Sequence, residues 1–543
     1  MPPDPLFISL GAASSTDRLI DTVDKRTPIT TDSGMWTTNI GSKDKPSNQK
    51  LLPSSPLSTS PLAPSSPYSY SYSSLNDKRI KRSATERLAI MSRTALSLAL
   101  SCPLLLVLLT ISLYKTIHRA YFVESAIDDD EPEENQPKED IIPDEIYYAS
   151  RWGYDSTLHQ VVTKDGYILS MYRVSKKGVN PIDKPPVLVV HGLFQCSGAF
   201  VLNEEQSLAF ALVDQGYDVW LGNNRSTGGL DHVSMSHKDP EYWNWGLKEL
   251  GIYDCVGMVN YVRQTTGQPK VGYIGHSQGN AQAFIALSLQ PEMSDCLSCF
   301  IALAPAVYSG DLVRSYPLKY LVDLDDQAFT VLFGNGCFLP IMNLSQALCN
   351  PKLFCFLAYS MFSYLFAWWD SNWISRRKPK YFQFTPRPVS SQLILDWMHG
   401  WGKRGLLLHI PDNSMSLQSP PLQLLPDSLQ QQQSHYHHEE QYEEEYDKGS
   451  EHNVSKKIPL AVFYGTADYL VDGEKLVRKL QKNHKQANLG KSTDPSIFLP
   501  MLELVHVERI DDYEHMDTIW GHDNHITTYP GIFQMLATAE WHV

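Results

Sequence analysis

The stretch VGYIGHSQGNAQAFIALSLQ, Val271 to Gln290, restricts what this chain can fold into more than any other segment. A short run of apolar, β-favouring residues meets Gly275-His276-Ser277-Gln278-Gly279. It then continues as apolar residues at helical spacing until Pro291. The pentapeptide fits G-x-S-x-G, in which a serine sits on a strained strand-to-helix turn with its hydroxyl exposed. Gly275 and Gly279 lack the Cβ atoms that would collide in such a turn, and the helix N-terminus after Ser277 favours developing negative charge. Alone, the pattern also occurs in ordinary glycine-rich loops, so its surroundings decide.

Those surroundings alternate between strands and helices. GYDSTLHQVVTKDGYILSMYRV reads as a β-hairpin turning at Lys164, Asp165 and Gly166. PPVLVVHGLFQCSGAF gives an unbroken apolar strand from Pro186 to Val190 that runs into His191, Gly192 and Leu193, as expected of a parallel strand covered on both faces. EEQSLAFALVDQG predicts a helix, YDVWLGNNRSTGG a strand and polar loop, and LGIYDCVGMVNYVRQTTG a helix leading to the strand before Ser277. The expected fold class is α/β: an open, mostly parallel sheet with helices on both faces. Sites in such sheets lie beyond the carboxyl ends of strands, where both His191-Gly192-Leu193 and Ser277 fall.

A serine hydroxyl needs a base, normally a histidine oriented by a carboxylate, and on this fold the chain order is serine, acid, histidine. IPLAVFYGTADYLVD predicts a strand from Ile458 to Tyr464 that reaches Asp468 within a few residues, whereas Asp472 falls at the next helix start. LELVHVERI predicts a further strand, and the DDYEHMDTIWG loop after it carries His515. Of the 18 histidines, His506 lies inside a strand and His435, His437 and His438 lie in a polar insert. His515 alone combines a post-strand loop with the required order.

GYDVWLGNNR, YWNWGLKELGIYD, GHSQGN, LFGNGCFLP, YGTADYLVD and YEHMDTIWG resemble, in the same order, segments of the acid lipase family: gastric lipase, lysosomal acid lipase and fungal membrane-anchored sterol esterases. The resemblance covers Ile146 to the C-terminus. It implies an α/β-hydrolase fold with a cap and Ser277, Asp468 and His515 as a catalytic triad. It also implies an oxyanion hole made by the N–H groups of Leu193 and Gln278, with steryl esters, then triacylglycerols, as substrates. An acyltransferase using the same serine and a non-catalytic lipid-binding protein are the alternatives. No metal or organic cofactor is expected. Two departures are Phe194, where the family usually has a second leucine, and the loop STGGLDH after the NNR segment.

The 543 residues exceed one such domain, and the remainder differs in composition. Residues 1–93 are rich in Ser, Pro and Thr and are expected to be a disordered arm. ALSLALSCPLLLVLLTISLY, Ala95 to Tyr114, has no charged residue and is long enough to cross a bilayer, so residues 94–115 are expected to form a transmembrane anchor. Lys78, Arg79, Lys81, Arg82, Arg87 and Arg93 precede it and an acidic linker, 116–144, follows, which favours a single pass with the N-terminus cytosolic. Pro103 leaves open a hairpin within one leaflet, as on a lipid droplet. Residues 145–543 form the expected hydrolase domain, with an aromatic-rich cap at 309–401 and a low-complexity acidic insert at 411–453.

The remaining signals are weaker. Sequons occur at Asn224, Asn343 and Asn453, and the eight cysteines read as buried thiols, with one bridge among Cys337, Cys349 and Cys355 open. The net charge of −14 and the absence of a basic stripe argue against nucleic acid as a partner. The expected partners are a lipid ester and a membrane or droplet surface, and the cluster Arg376, Arg377 and Lys378 reads first as a solvated charge cluster, with lipid headgroups as the alternative.

Overall fold

In a computed structural model of the chain, eight strands form one sheet in the order β1-β2-β4-β3-β5-β6-β7-β8. The description covers residues 83–122, 139–400, 457–489 and 501–542. The arm before residue 83, the acidic run at 123–138 and the insert at 401–456, with His435, His437, His438 and Asn453, lie outside the described residues. β1 (Tyr154–Val162) and β2 (Ile168–Lys176) are the expected hairpin, and β2 pairs antiparallel with β4 (Asp218–Gly222). From there β3 (Pro186–Val190), β5 (Val271–His276), β6 (Leu297–Leu303), β7 (Ile458–Gly465) and β8 (Leu502–Ile510) run parallel. β3 to β6 are buried along their whole length, because helices cover both sides of them.

Alternation along β5 separates the two faces. A Cβ at Gly272 would meet Leu536 and Trp541 at the C-terminal end of the chain, whereas the next residue, Tyr273, donates its hydroxyl to the Gly279 carbonyl on the other side. Hence α2 (Leu208–Asp214) and α10 (Tyr529–Thr538) pack together on one face. On the other lie α3 (Val256–Thr266) and α4 (Gln278–Leu289). α3 is entered through a π turn, Leu250–Cys255, instead of the regular helix expected from the sequence. A Cβ at Gly251 in that turn would sit 2.7 Å from Ile285, so the small residue lets the turn lie on α4.

The π turn also carries Asp254, which is buried with Arg225 from the NNR segment. Arg225 bonds Asp254 at 2.7 Å and Asp165, in the β1–β2 turn, at 2.7 Å, and its guanidinium lies 3.9 Å from the Tyr167 ring centre. Burial pushes the Asp254 carboxyl up to about 6 against the pull of this guanidinium. Arg225 thus pins the loop after β4 to two other segments. Arg225→Met should cost about 3–5 kcal/mol in denaturant unfolding, because it strands a buried carboxylate, and a change below about 1 kcal/mol would contradict this account.

Between β6 and β7 the cap is built from short helices, chiefly α5 (Asp326–Phe333), α6 (Pro340–Leu348), α7 (Pro351–Phe366) and α8 (Ser391–Gly400). Asn350 caps α7 by accepting from the N–H groups of Lys352 and Leu353. The segment after α7 ties the cap to the chain beyond β8: Asn372 and Trp373 each donate at 2.8 Å to the Asp517 carboxylate.

The basic cluster is neither a solvated face nor a headgroup site, because buried acidic side chains already neutralise it. Arg376, Arg377 and Lys380 converge on buried Glu204, and Lys378 pairs with Asp370. The eight cysteines are all free thiols, so no bridge links Cys337, Cys349 and Cys355. The Asn224 sequon is buried, accepts from Gln282 at 3.0 Å and has no room for a glycan.

α1 (Ala84–Phe122) is longer at both ends than the expected span of 94–115, and long and apolar enough to cross a membrane. Pro103 lies inside this unbroken helix, so the single-leaflet hairpin is not formed. The helix packs against α5 and α7 of the cap. Ser97 donates to the Leu332 carbonyl at 3.0 Å near one end, and Arg119 donates to Ser371 Oγ at 2.9 Å near the other.

Candidate active site

Ser277 stands between β5 and α4 with φ 51° and ψ −112°, a left-handed backbone that only strong surrounding constraints hold for a residue with a Cβ. The glycines on either side meet a different demand, close approach. A Cβ at Gly275 would lie 2.4 Å from Asn280 Oδ1, and one at Gly279 would lie 2.4 Å from the Val190 carbonyl oxygen. The serine is thereby pushed up at the carboxyl end of the central strand, next to the end of β3.

The loops after β7 and β8 bring the other two expected residues to it. His515 Nε2 is 2.8 Å from Ser277 Oγ, and His515 Nδ1 is 2.8 Å from Asp468 Oδ2. Since the carboxylate can only accept, Nδ1–H donates to Asp468, which leaves Nε2 as acceptor for the serine hydroxyl. Asp468 Oδ1 in turn accepts from the N–H groups of Leu470 and Val471 at 3.0 and 3.1 Å, which fixes the carboxylate. The competing Asp472 points elsewhere: it caps α9 (Gly473–Asn488) by accepting from Lys475 N–H at 2.8 Å.

Leu193 follows β3 and Gln278 opens α4, so both flank Ser277. Their backbone N–H groups have no acceptor among the described residues. Gly192 permits this approach, since a Cβ there would lie 3.0 Å from the Cβ of Ser277. His191 is neutral: burial lowers it to about 4, its Nδ1 side faces the Gly192 carbonyl, and its Nε2 accepts from Asn224 N–H.

The walls are apolar. Leu193, Phe194, Phe366, Trp368, Trp397 and Leu470 line a narrow pocket over Ser277. Phe194, the departure from the family pattern, has φ 61° and packs on Phe338, Phe362 and Phe366 of the cap. Trp368 lies nearly parallel to the His515 ring, at 13° and 6.0 Å between centroids. Trp397 donates to the Gln278 side-chain oxygen at 3.0 Å.

Nothing in the sequence singles out Trp368 or Trp397 among the cap aromatics, or points to Gln195 and the partners of His276. Gln195 Oε1 accepts from Gly192 N–H at 3.0 Å and faces His276 Nδ1 at 3.1 Å, while His276 Nε2 faces the His515 carbonyl at 3.2 Å. His276 was visible in the motif itself, but only folding brings its two partners to it.

Glu514, beside the histidine, is buried, and burial together with the Asp517 charge pushes its carboxyl from 4.5 to about 9. An acid raised on folding contributes stability that is fully present below its unfolded value and is lost as pH climbs to the folded one. Glu514→Gln should therefore match the parent chain in thermal midpoint at pH 4 and exceed it increasingly from about pH 5 to 9. Parallel curves across that range would contradict a buried neutral carboxyl.

Comparison with known proteins gives the same family. Residues 146–204 match the partial alpha/beta-hydrolase lipase region, and residues 185–332 match the alpha/beta hydrolase fold. Sterol esterase 2 of Saccharomyces cerevisiae is 30% identical over 412 residues, covering 70% of this chain and 70% of that protein. Lipase member K of Mus musculus is 31% identical over 408 residues, covering 71% and 89%. Gastric triacylglycerol lipase of Mus musculus is 32% identical over 397 residues, again covering 71% and 89%. With a serine elbow at the end of β5, an acid after β7 and a histidine after β8, the chain belongs to the acid lipase family of α/β-hydrolases.

Proposed function

We propose that this chain is a membrane-anchored hydrolase of lipid esters, with steryl esters as its substrate class and triacylglycerols as the second. The observation that carries the reading is the unbroken Ser277–His515–Asp468 hydrogen-bond chain beneath an aromatic cavity. His515 Nε2 takes the Ser277 proton as Oγ attacks the ester carbonyl, and Asp468 steadies the imidazolium that forms. The N–H groups of Leu193 and Gln278 receive the oxyanion. Collapse of the tetrahedral intermediate breaks the ester C–O bond, and His515 returns its proton to the departing sterol oxygen. Water, deprotonated by the same imidazole, then attacks the acyl-enzyme, and the fatty acid leaves with Ser277 restored.

Two features support the substrate class. Phe194, Phe366, Trp368 and Trp397 present broad rings to which a fused apolar ring system can stack, and a relative of similar length is named a sterol esterase. The charge-free length of α1, with Arg87 and Arg93 before it, supports an anchor whose N-terminal side is cytosolic.

The test is fatty-acid release by the full chain from a labelled steryl oleate and from triolein in detergent micelles. Faster release from the steryl ester is expected. Faster release from triolein would overturn the substrate class, and transfer of the acyl group to an added alcohol without free acid would replace hydrolysis by acyl exchange.

A further inference from the structure

α1 and the catalytic histidine are joined through one short segment of the cap. The buried residues of α1, namely Ser97, Ser101, Leu108, Ser112 and Thr116, recur at helical spacing and mark the face turned to the cap, so its hydroxyls point inward. Arg119, three residues after Thr116 and in the last turn, continues that face beyond the uncharged run. A cation at the end of an apolar helix ordinarily extends its head into water. Arg119 instead turns to the cap: Nη2 donates to Ser371 Oγ at 2.9 Å, and the guanidinium lies 4.7 Å from the centre of the Trp369 ring.

The segment that these contacts hold, Trp368 to Trp373, is the one the cap lays against the histidine loop. Trp368 lies nearly parallel to the His515 ring, and the Trp369 N–H donates to the Glu514 carboxyl. Asn372 donates to the Asp512 carbonyl at 3.0 Å and, with Trp373, to Asp517, while its own carbonyl accepts from His522 N–H at 2.9 Å. From the cap side Asp370 fixes the segment by accepting from the Tyr359 hydroxyl at 2.6 Å. The bond near the opposite end of α1, from Ser97 to the Leu332 carbonyl, goes to α5 and not to this segment.

We propose that Arg119 is a positioning residue for His515: the last turn of α1 holds the 368–373 segment so that Trp368 keeps its place against the imidazole. The inference rests on the ester hydrolase reading above. A ring face within about 6 Å of a cation attracts it, and His515 is charged only while it holds the serine proton. The contact therefore favours the transition state over the ground state, and losing it lowers kcat rather than raising KM.

The test uses the full chain in detergent micelles with p-nitrophenyl butyrate, an ester small enough to be independent of lipid, and counts active sites by fluorophosphonate labelling. Arg119→Met is expected to lower kcat per labelled site about 5- to 10-fold with KM within about twofold. Arg119→Lys, which keeps a cation beside Trp369, should recover part of that rate, and Ser97→Ala should match the parent chain. In a Trp368→Leu background, Arg119→Met should cost less than about twofold more, because the two changes remove one contact. Should Arg119→Met not fold, Ser371→Ala, which removes the acceptor without altering α1, is expected to lower kcat in the same direction. An unchanged kcat per site in Arg119→Met, an equal loss in Ser97→Ala, or additive losses in the double variant would overturn the proposal. A parent chain that neither cleaves the ester nor is labelled would instead overturn the hydrolase reading.

Discussion

Ser277→Ala should lower fatty-acid release by about 10⁵- to 10⁶-fold while leaving the folded fraction unchanged. The magnitude follows from the geometry. Ser277 Oγ is the atom that His515 Nε2 reaches, at 2.8 Å, and the alanine methyl group can neither give up a proton nor form an acyl ester. The free N–H groups of Leu193 and Gln278 would still polarise a bound carbonyl, so a residual rate of about 10³-fold over water is expected. Labelling by a phosphonate should disappear in the same variant. A loss of less than about 100-fold, or continued labelling at the catalytic rate, would remove Ser277 from its assigned place.

The second large effect separates two carboxylates four residues apart. Asp468→Asn should reduce kcat by about 10⁴-fold, because an amide facing His515 Nδ1 favours the tautomer that puts the proton on Nε2, where the serine needs an acceptor. Asp472→Asn should leave activity within about twofold, since asparagine caps a helix as well as aspartate does. Steady-state kinetics of the two variants at neutral pH decide the matter. Equal losses would mean that the loop after β7 works as a unit in which hydrogen-bonding geometry, not the acid itself, sets the rate.

Much of this site could be read from the chain because its parts sit at strand ends. Strand, glycine, serine, glycine and helix are contiguous around Ser277, and Asp468 and His515 each follow a recognisable apolar strand within a few residues. What could not be read are pairings between distant segments that leave no local pattern. Arg376 and Arg377 look like a solvated cluster until Glu204, more than 170 residues earlier, meets them. The meeting of Trp368 with His515 depends on how the cap folds back through Asn372 and Trp373 onto Asp517. α1 was legible as an apolar span, but composition does not say which side is covered. The inward hydroxyls and the continuity through Pro103 emerged only with the cap in place.

His276 carries a consequence of its own. Its two ring nitrogens face two acceptors: the Gln195 oxygen, already oriented by Gly192 N–H, and the carbonyl of His515. Burial and the neighbouring His515 hold the ring well below its ordinary pKa, so it is neutral and has one proton to offer. That proton can steady the loop of Leu193 or the loop of His515, but not both at once. The Leu193 loop and the His515 loop therefore draw on a shared, locally frustrated contact. Substitutions in the two loops should be energetically non-additive even though neither loop touches the other's reacting atoms.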